Sequence, residues 1–175
     1  MNRSIYIYRP IQPLGTTSQV VVFLPEKAEL ELGFQRAYEH IHHIAKQADA
    51  SLVFYANEET EEKIKILSSL QRHKTPYFYR RMEGWGDIEN CIKQVRNNDL
   101  VVFFAGRKST ISYHPLFEEL FAAVTDTVIN NSQLIVFPEQ FGFQSETDER
   151  FSVLNNPSPG FEELKKPRKW LDVFT

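Results

Sequence analysis

Four short apolar runs, separated by helical patterns, constrain the fold of this chain more than any other feature. They read VVVFLP, SLVFYA, LVVFFAG and QLIVFPE, and they occupy residues 20–25, 51–56, 100–106 and 133–139. Each run is rich in β-branched or aromatic residues and is continuous rather than alternating, which is typical of strands covered on both faces. A fifth run, PYFYRRM at residues 76–82, alternates more and is predicted to form an edge strand.

Helical periodicity fills the intervals between these runs. A three-four repeat of apolar residues is nearly perfect over residues 34–48, and similar stripes follow at 85–95 and 117–128. Residues 60–71 have a weaker stripe but contain many strong helix formers. The order β-α-β-α-β-α-β-α-β predicts an α/β fold with a five-stranded, doubly wound parallel sheet in three α/β/α layers, flavodoxin-like or nucleotide-binding-like. In such sheets, ligands bind at the carboxyl ends of the strands, near the point where the strand order reverses.

Two terminal segments flank the predicted sheet. Residues 1–19 are interpreted as an N-terminal extension or tether, in which IYIY would add a short strand, and residues 20–143 as the α/β domain. Residues 144–175 form a polar C-terminal tail rich in Asn, Pro and Ser. Its composition leaves two alternatives open: a flexible tail, or a segment whose Trp170, Leu171 and Phe174 dock on this domain or on a partner.

Composition and charge exclude several classes of protein. The 175 residues carry a net charge of −3, whereas a nucleic-acid-binding domain usually has a clustered basic surface. The lone cysteine, Cys91, excludes a disulfide framework and a thiolate metal cluster. No apolar stretch approaches the roughly 20 residues that cross a bilayer, and the N-terminus lacks the apolar core of a signal peptide. We therefore expect one cytosolic domain that binds no nucleic acid and does not itself insert into the membrane.

The stretch FFAGRKSTISYHP, residues 103–115, lies at one predicted strand end and is the best candidate for a ligand site. Backbone N–H groups at a helix N-terminus, together with a lysine and several hydroxyl groups, could hold a phosphate or another anion. The stretch contains one glycine, however, and Arg107 separates Gly106 from Lys108, so it is not a P-loop. A weak anion site and a solvated connecting loop both remain open. The candidate ligand-binding residues are Gly106, Arg107, Lys108, Ser109, Thr110, Ser112 and His114, with Pro25, Glu26 and Asn57 at neighbouring strand ends.

The sequence offers little for catalysis or metal binding. His40, His42 and His43 lie on the first predicted helix but do not converge, and they are predicted to be solvated or half-buried. No G-x-S-x-G elbow follows any strand, and Cys91 falls within a helical stripe where burial explains it. The acidic segments EKAELE and NEETEE are interpreted as solvated helix N-termini. We predict no catalytic residue and no metal site, with a small hydrolase or transferase that uses His114 as the alternative.

Several of these segments together resemble a known family. VVVFLPEKAELELGF, LVFYAN, DLVVFFAGRKSTISYHP and LIVFPEQFG are similar to the soluble C-terminal region of bacterial monovalent cation:proton antiporters of the second cation:proton antiporter family, in particular the sodium/proton antiporters of Bacteroidetes. The likeness spans approximately residues 20–142, and its most specific pieces are R-K-x-x-x-S-Y-H-P and F-P-E-Q. It implies a universal-stress-protein-like fold of the adenine nucleotide alpha hydrolase-like type.

The resemblance also implies a role in ion transport and a set of partners. The chain would be a cytoplasmic regulatory domain, attached to the inner membrane through the transporter domain of the same polypeptide, which senses a small ligand or mediates homodimerisation. Universal stress proteins that bind ATP carry a G-x-x-G loop after the fourth strand and usually an Asp after the first. Here Gly106 matches the first glycine, Ser109 stands at the second, and the first strand ends in Pro25-Glu26, so the adenine nucleotide pattern is incomplete. The alternative is a stand-alone universal-stress-type module that binds a nucleotide or anion through residues 106–114.

Overall fold

The computed structural model describes residues 3–71 and 74–139, which form a six-stranded sheet with helices on both faces. The strands lie in the order β1-β6-β5-β2-β3-β4. β2 to β6 run parallel to their neighbours, whereas β1 pairs antiparallel with β6. Their bounds are β1 (Ile5–Arg9), β2 (Gln19–Phe23), β3 (Ser51–Ala56), β4 (Tyr77–Arg81), β5 (Leu100–Phe104) and β6 (Gln133–Phe137).

The helices cover the two faces of the sheet in pairs, so the predicted α/β/α layers are confirmed for the described residues. Their bounds are α1 (Phe34–Gln47), α2 (Glu58–Leu70), α3 (Ile88–Ile92) and α4 (Pro115–Thr127). α1 and α2 pack on the face that carries Val22 and Phe54. α3 and α4 pack on the opposite face, which carries Phe23 and Phe103. Short 3-10 helices span Leu14–Thr16, Ala28–Leu30 and Trp85–Asp87.

The parallel strands follow the topology of nucleotide-binding sheets. Counted along the chain from β2, their spatial order is 3-2-1-4-5, which is the Rossmann-type order and differs from the flavodoxin order 2-1-3-4-5. β2 is followed on one side by β3 and β4, and the chain then crosses to β5 on the other side. The strand order therefore reverses between β2 and β5.

The five predicted parallel strands are confirmed as β2 to β6, but the predicted strand number is wrong. β1, within the segment interpreted as an extension or tether, is a sixth strand in which Ile5 pairs with Phe137 and Arg9 with Gln133. The start of β1 is held to the end of β6, because the Glu139 N–H donates to Ser4 Oγ at 3.1 Å. The strand lies at the sheet edge with half of the Ile7 surface exposed (50%), so it lacks the long buried run that identifies the central strands.

The starts of two long helices, α2 and α4, have a local cause. α2 begins after Asn57, whose Oδ1 accepts the Thr60 N–H at 3.1 Å. α4 begins at Pro115, confirming the predicted placement of this proline at the first helical position, where its missing N–H costs no hydrogen bond. Both helices therefore begin at the carboxyl edge of the sheet, directly after the connection from the preceding strand.

The predicted C-terminal tail, residues 144–175 with Trp170, Leu171 and Phe174, is not among the residues that the structure describes. Within residues 3–71 and 74–139, we find no helix that combines the length and the apolar character needed to span a bilayer.

Candidate functional site

The carboxyl ends of β2 and β5 lie side by side, since Phe23 pairs with Phe103 at the end of the two strands. Two segments leave the sheet at this edge. We call residues 28–33, which lead into α1, the arm, and residues 106–114, which lead into α4, the loop. The strand order reverses here, so the space between the two segments is where a doubly wound sheet would bind a ligand.

The loop contains a tight turn that is closed by its own groups. Thr110 donates its backbone N–H and its hydroxyl to the Arg107 carbonyl oxygen, at 3.0 and 2.8 Å. Ser109 lies within this turn with φ at 75°, in the left-handed region that favours glycine. The position of the second glycine in the G-x-x-G pattern thus has the backbone conformation that a glycine would adopt most easily.

Gly106 is required by the packing of the loop on itself. A Cβ atom at this position would lie 2.5 Å from the Ser112 carbonyl carbon and 2.5 Å from the Tyr113 nitrogen. Both distances are far shorter than a normal contact, and backbone atoms cannot move aside cheaply. Gly106, a candidate ligand-binding residue, therefore permits the close approach of residues 112–113.

The two basic residues of the loop make contacts at its outer side. Arg107 Nη2 donates to the Arg3 carbonyl oxygen at 2.6 Å, which ties the loop to the start of β1. Lys108 Nζ lies 3.5 Å from Glu118 Oε2, and its side chain is 73% exposed. An ion pair this exposed contributes little to stability.

Ser112, one of the predicted site residues, is hydrogen-bonded to a buried carboxylate, that of Glu31. Its backbone N–H donates to Glu31 Oε1 at 3.0 Å and its hydroxyl donates to the same oxygen at 2.5 Å. Both residues are buried, with 2% of Ser112 and 7% of Glu31 exposed. The hydroxyl expected to bind an external anion is therefore hydrogen-bonded to a carboxylate of the arm.

His114 caps α4. Its Nδ1 accepts the Leu116 N–H at 3.2 Å, so the neutral ring carries its proton on Nε2. This contact is a structural role at the N-terminus of the helix. His114 caps the helix and at the same time lines a cavity at the carboxyl ends of the strands.

A cavity of about 100 Å³ lies between the loop, residues 25–27 just after β2 and the turn after β4. Pockets that bind drug-sized ligands are about 300–1,000 Å³, so a nucleotide would not fit without rearrangement. The predicted neighbours Pro25 and Glu26 line the cavity, whereas Asn57 caps α2. The lining residues are Pro25, Glu26, Lys27, Gly84, Trp85, Ile111, Ser112, Tyr113 and His114.

The arm is fixed to three parts of the fold. Glu29 Oε2 accepts the Thr60 hydroxyl at 2.6 Å, at the first turn of α2. Glu31 binds Ser112 in the loop. The Gly33 N–H donates to the Glu139 carbonyl at 2.9 Å, just beyond β6. The arm therefore crosses the carboxyl edge of the sheet from α2 to β6.

Glu31 is the residue of this edge that the sequence interpretation missed. EKAELE was expected to be a solvated acidic segment, but Glu31 is buried while its neighbours Leu30 and Leu32 are 58% and 64% exposed. This inverted burial arises because the arm turns its carboxylate towards the N–H and O–H groups of Ser112. The available signal was the alternation of Leu with Glu in a segment that does not form a long helix.

The remaining titratable candidates do not assemble into a second site. Tyr6 Oη and His40 Nδ1 form a hydrogen bond of 2.7 Å, and His43 is exposed on the same helix. His42 is buried, which corrects the expectation of a solvated or half-buried side chain, and burial, followed by Lys46 and His43, lowers its pKa. Among the described residues, no group of three or more His, Cys, Asp or Glu side chains could hold a metal ion.

A second and wider hollow, of about 520 Å³, lies between β1 and α1, away from the strand ends. Its exposed walls are almost wholly apolar. It therefore lacks the converging polar groups that orient a polar substrate. Its lining residues are Tyr6, Tyr8, Leu14, His40, His43, Ile44, Leu100 and Leu134.

Comparisons with known proteins give this chain no family assignment. No protein-family model matches the sequence, and a search of curated proteins finds no match.

Proposed function

We propose that this chain is a non-enzymatic, universal-stress-protein-like regulatory domain of a bacterial sodium/proton antiporter of the second cation:proton antiporter family. In this proposal it lies at the cytoplasmic face of the inner membrane, attached to the transporter domain of the same polypeptide. It regulates transport through protein contacts, including pairing with a second copy, rather than through turnover of a substrate. The observation that carries the proposal is the convergence of three segments that carry the likeness to that family.

These segments meet at the arm. Glu31 and Gly33 belong to VVVFLPEKAELELGF, Ser112 belongs to the R-K-x-x-x-S-Y-H-P segment, and Glu139 belongs to F-P-E-Q. Glu31 contacts Ser112, and Gly33 contacts Glu139. Residues that resemble a family and are far apart in sequence thus form one connected structural unit, which supports a likeness in fold. The attachment to an antiporter rests on the sequence resemblance.

The chemistry of the strand ends supports a non-enzymatic role. Ser112 donates to Glu31 and lies in a different hydrogen-bond system from His114, whose Nδ1 accepts the Leu116 N–H. A serine nucleophile would need a base within hydrogen-bond reach, commonly a histidine that takes the hydroxyl proton. The cavity beside these residues, at about 100 Å³, is also small for a substrate of metabolite size.

The proposal is tested first by the size and location of the native polypeptide. Antibodies raised against residues 20–139 should detect, in the source cells, a membrane-fraction polypeptide much larger than the 20.5 kDa of this chain. Sodium-driven proton exchange is then measured in everted vesicles with the whole transporter and with residues 20–139 deleted. The deletion should leave exchange active but shift its dependence on pH or sodium. A 20.5 kDa polypeptide confined to the supernatant would overturn the proposal.

One observation favours a second candidate, a stand-alone universal-stress-type module that binds a nucleotide or anion. Ser109 has the left-handed conformation expected of the second glycine in a G-x-x-G loop. Calorimetric titration of the purified chain with ATP, ADP, AMP and cyclic dinucleotides tests this function. Binding that weakens at least tenfold in Lys108→Ala, about 1.4 kcal/mol, would establish it. The absence of heat at millimolar ligand would exclude it.

A further inference from the structure

We propose that Glu31 is a built-in ligand of the loop, so that the anion site of this fold is occupied by a carboxylate of the chain itself. A single oxygen, Oε1, accepts both the Ser112 N–H and the Ser112 hydroxyl. A backbone N–H and a hydroxyl that converge on one point are the donors that would otherwise receive an oxygen of a bound anion. The proposal holds whether or not the domain serves an antiporter.

The burial of the pair indicates a formed site rather than a surface contact. Glu31 is 7% exposed and Ser112 is 2% exposed. A buried carboxylate is costly unless hydrogen bonds replace its lost hydration. Hydrogen bonds to a charged group are also roughly twice as strong as those between neutral groups. The loop therefore supplies the hydrogen-bond donors that stabilise the buried Glu31 carboxylate, and this carboxylate occupies the position that an external anion would take.

The arm holds the carboxylate in place from both sides. Before Glu31, the Glu29 side chain accepts the Thr60 hydroxyl, and Thr60 is fully buried. After Glu31, Gly33 is fixed to the Glu139 carbonyl, and the Glu31 carbonyl accepts the Phe34 N–H at 3.0 Å. An external anion that displaced Glu31 would have to move a segment tied at both ends. This arrangement favours permanent occupancy by Glu31.

The space that remains is consistent with an occupied site. The neighbouring cavity, lined in part by Ser112, has a volume of about 100 Å³. One water molecule takes about 30 Å³ of liquid, so the cavity holds a few waters and not a nucleotide. Removal of the Glu31 carboxylate should therefore create a vacancy beside Ser112 of the size of a small carboxylate such as formate or acetate.

Chemical rescue tests the inference. Thermal unfolding of the full chain and of Glu31→Ala is followed in sodium formate, sodium acetate and sodium chloride at equal ionic strength. Glu31→Ala should unfold several degrees lower than the parent chain in chloride. Formate should raise the unfolding temperature of Glu31→Ala part of the way back, and this effect should saturate with formate concentration. The unfolding temperature of the parent chain should respond equally to formate and chloride. A response to formate that is the same in both proteins, or absent in Glu31→Ala, overturns the proposal.

A second variant assigns the rescue to Ser112. In the double variant Glu31→Ala, Ser112→Ala, one of the two donors is missing, so formate should be needed at concentrations at least tenfold higher. Undiminished rescue in the double variant would show that formate binds elsewhere and would overturn the proposal.

Glu31→Gln keeps the experiment decisive if Glu31→Ala does not fold. The amide side chain preserves the shape but removes the charge, so the Ser112 N–H should lose its charge-assisted hydrogen bond. The backbone amide resonance of Ser112 should then move upfield, whereas Glu29→Gln, the matched change in the same arm, should leave it in place. A Ser112 resonance unchanged in Glu31→Gln overturns the proposal. Heat on adding phosphate or ATP to the parent chain, lost in Lys108→Ala, also overturns it, because the loop would then take an external anion.

Discussion

Gly33 lies directly against the backbone of Glu139, donating its N–H to the Glu139 carbonyl at 2.9 Å. A Cβ atom on residue 33 would lie 2.8 Å from that same carbonyl oxygen. Arg36 Nη1, one turn further along α1, lies 3.0 Å from Glu139 Oε2. The start of α1 and the end of β6 are thus joined by backbone and side-chain contacts across the carboxyl edge of the sheet.

Gly33→Ala should lower the free energy of unfolding by about 1–3 kcal/mol, because backbone atoms would have to shift to admit the methyl group. The measurement is urea unfolding followed by circular dichroism. Gly15→Ala is the matched control, since a Cβ atom there would meet nothing within 4 Å. Its effect should stay within about 0.5 kcal/mol. An equal response of the two variants would contradict the close contact.

Asn131 joins the starts of β5 and β6, and its loss should be costly. Its Nδ2 donates to the Arg96 carbonyl at 2.6 Å and to the Asp99 carbonyl at 2.9 Å. Asn131→Ala would remove the donor from the buried Asp99 carbonyl, whereas the Arg96 carbonyl would keep the Asp99 N–H, so we expect a loss of about 1–3 kcal/mol in urea unfolding. The exposed neighbour Asn130 is the control, and Asn130→Ala should change stability by less than about 0.5 kcal/mol. A loss in both variants of similar size would contradict the role of the Asn131 side chain.

His42 should make the domain less stable in mild acid. Its pKa is lowered from 6.5 by burial and then by Lys46 and His43, so the unfolded chain takes up the proton more readily than the folded one. The contribution is fully present above pH 6.5 and is lost as pH falls from there through the folded pKa. One such proton changes stability with a slope of at most about 1.4 kcal/mol per pH unit.

The measurement is urea unfolding between pH 5 and 7.5 in the parent chain and in His42→Gln. The slope should be smaller in His42→Gln. His43→Gln removes only the smallest of the causes that lower the His42 pKa, so its slope should stay closer to that of the parent chain. Asp99 acts in the opposite direction, because burial, which outweighs its hydrogen bond from the Arg96 N–H, raises its pKa and adds stability on acidification. The difference between parent and variant removes that contribution. Identical slopes in all three proteins would contradict the prediction for His42.

Removal of residues 1–11 should destabilise the sheet although these residues precede the first strand of the parallel core. The truncation deletes five backbone pairs with β6, from Ile5–Phe137 to Arg9–Gln133. It leaves the edge of β6 unpaired, and we expect a loss of at least about 2 kcal/mol from the missing hydrogen bonds. The full-length variant Ile5→Thr, Ile7→Thr keeps the backbone pairs and should lose less. A truncated protein as stable as the full chain would mean that β1 is not part of the stable fold.

The central strands of the sheet could be predicted because each one is marked by a local sequence pattern. β2, β3, β5 and β6 lie within continuous apolar runs, and each is covered on both faces in the structure. β1 is different, because its partner is more than 120 residues away and its edge position removes the need for a continuous apolar run. The sequence suggests a short strand at IYIY, but nothing local states its partner or direction.

The position of the candidate site in the sheet could be predicted from the sequence, but the contacts between its side chains could not. The alternation of strands and helices places a ligand crevice at the ends of β2 and β5, but the contact between Glu31 and Ser112 spans 81 residues. No local pattern can state that a carboxylate in one segment will meet a hydroxyl in the other. The same holds for Gly106. Only a glycine fits at this position because the backbone of residues 112–113 packs against it, and no local pattern predicts that contact.

The antiparallel pairing of β1 with β6 also determines how the domain responds to pulling. Ile5 pairs with Phe137, and Ser4 accepts the Glu139 N–H, so the described chain enters and leaves at the same end of this strand pair. Tension applied between residues 4 and 139 would load the hydrogen bonds one after another, as in a zipper, and not all together in shear. The edge strand would therefore peel away at low force while the five parallel strands stay assembled. Such a pair is a mechanical weak point at the edge of the sheet.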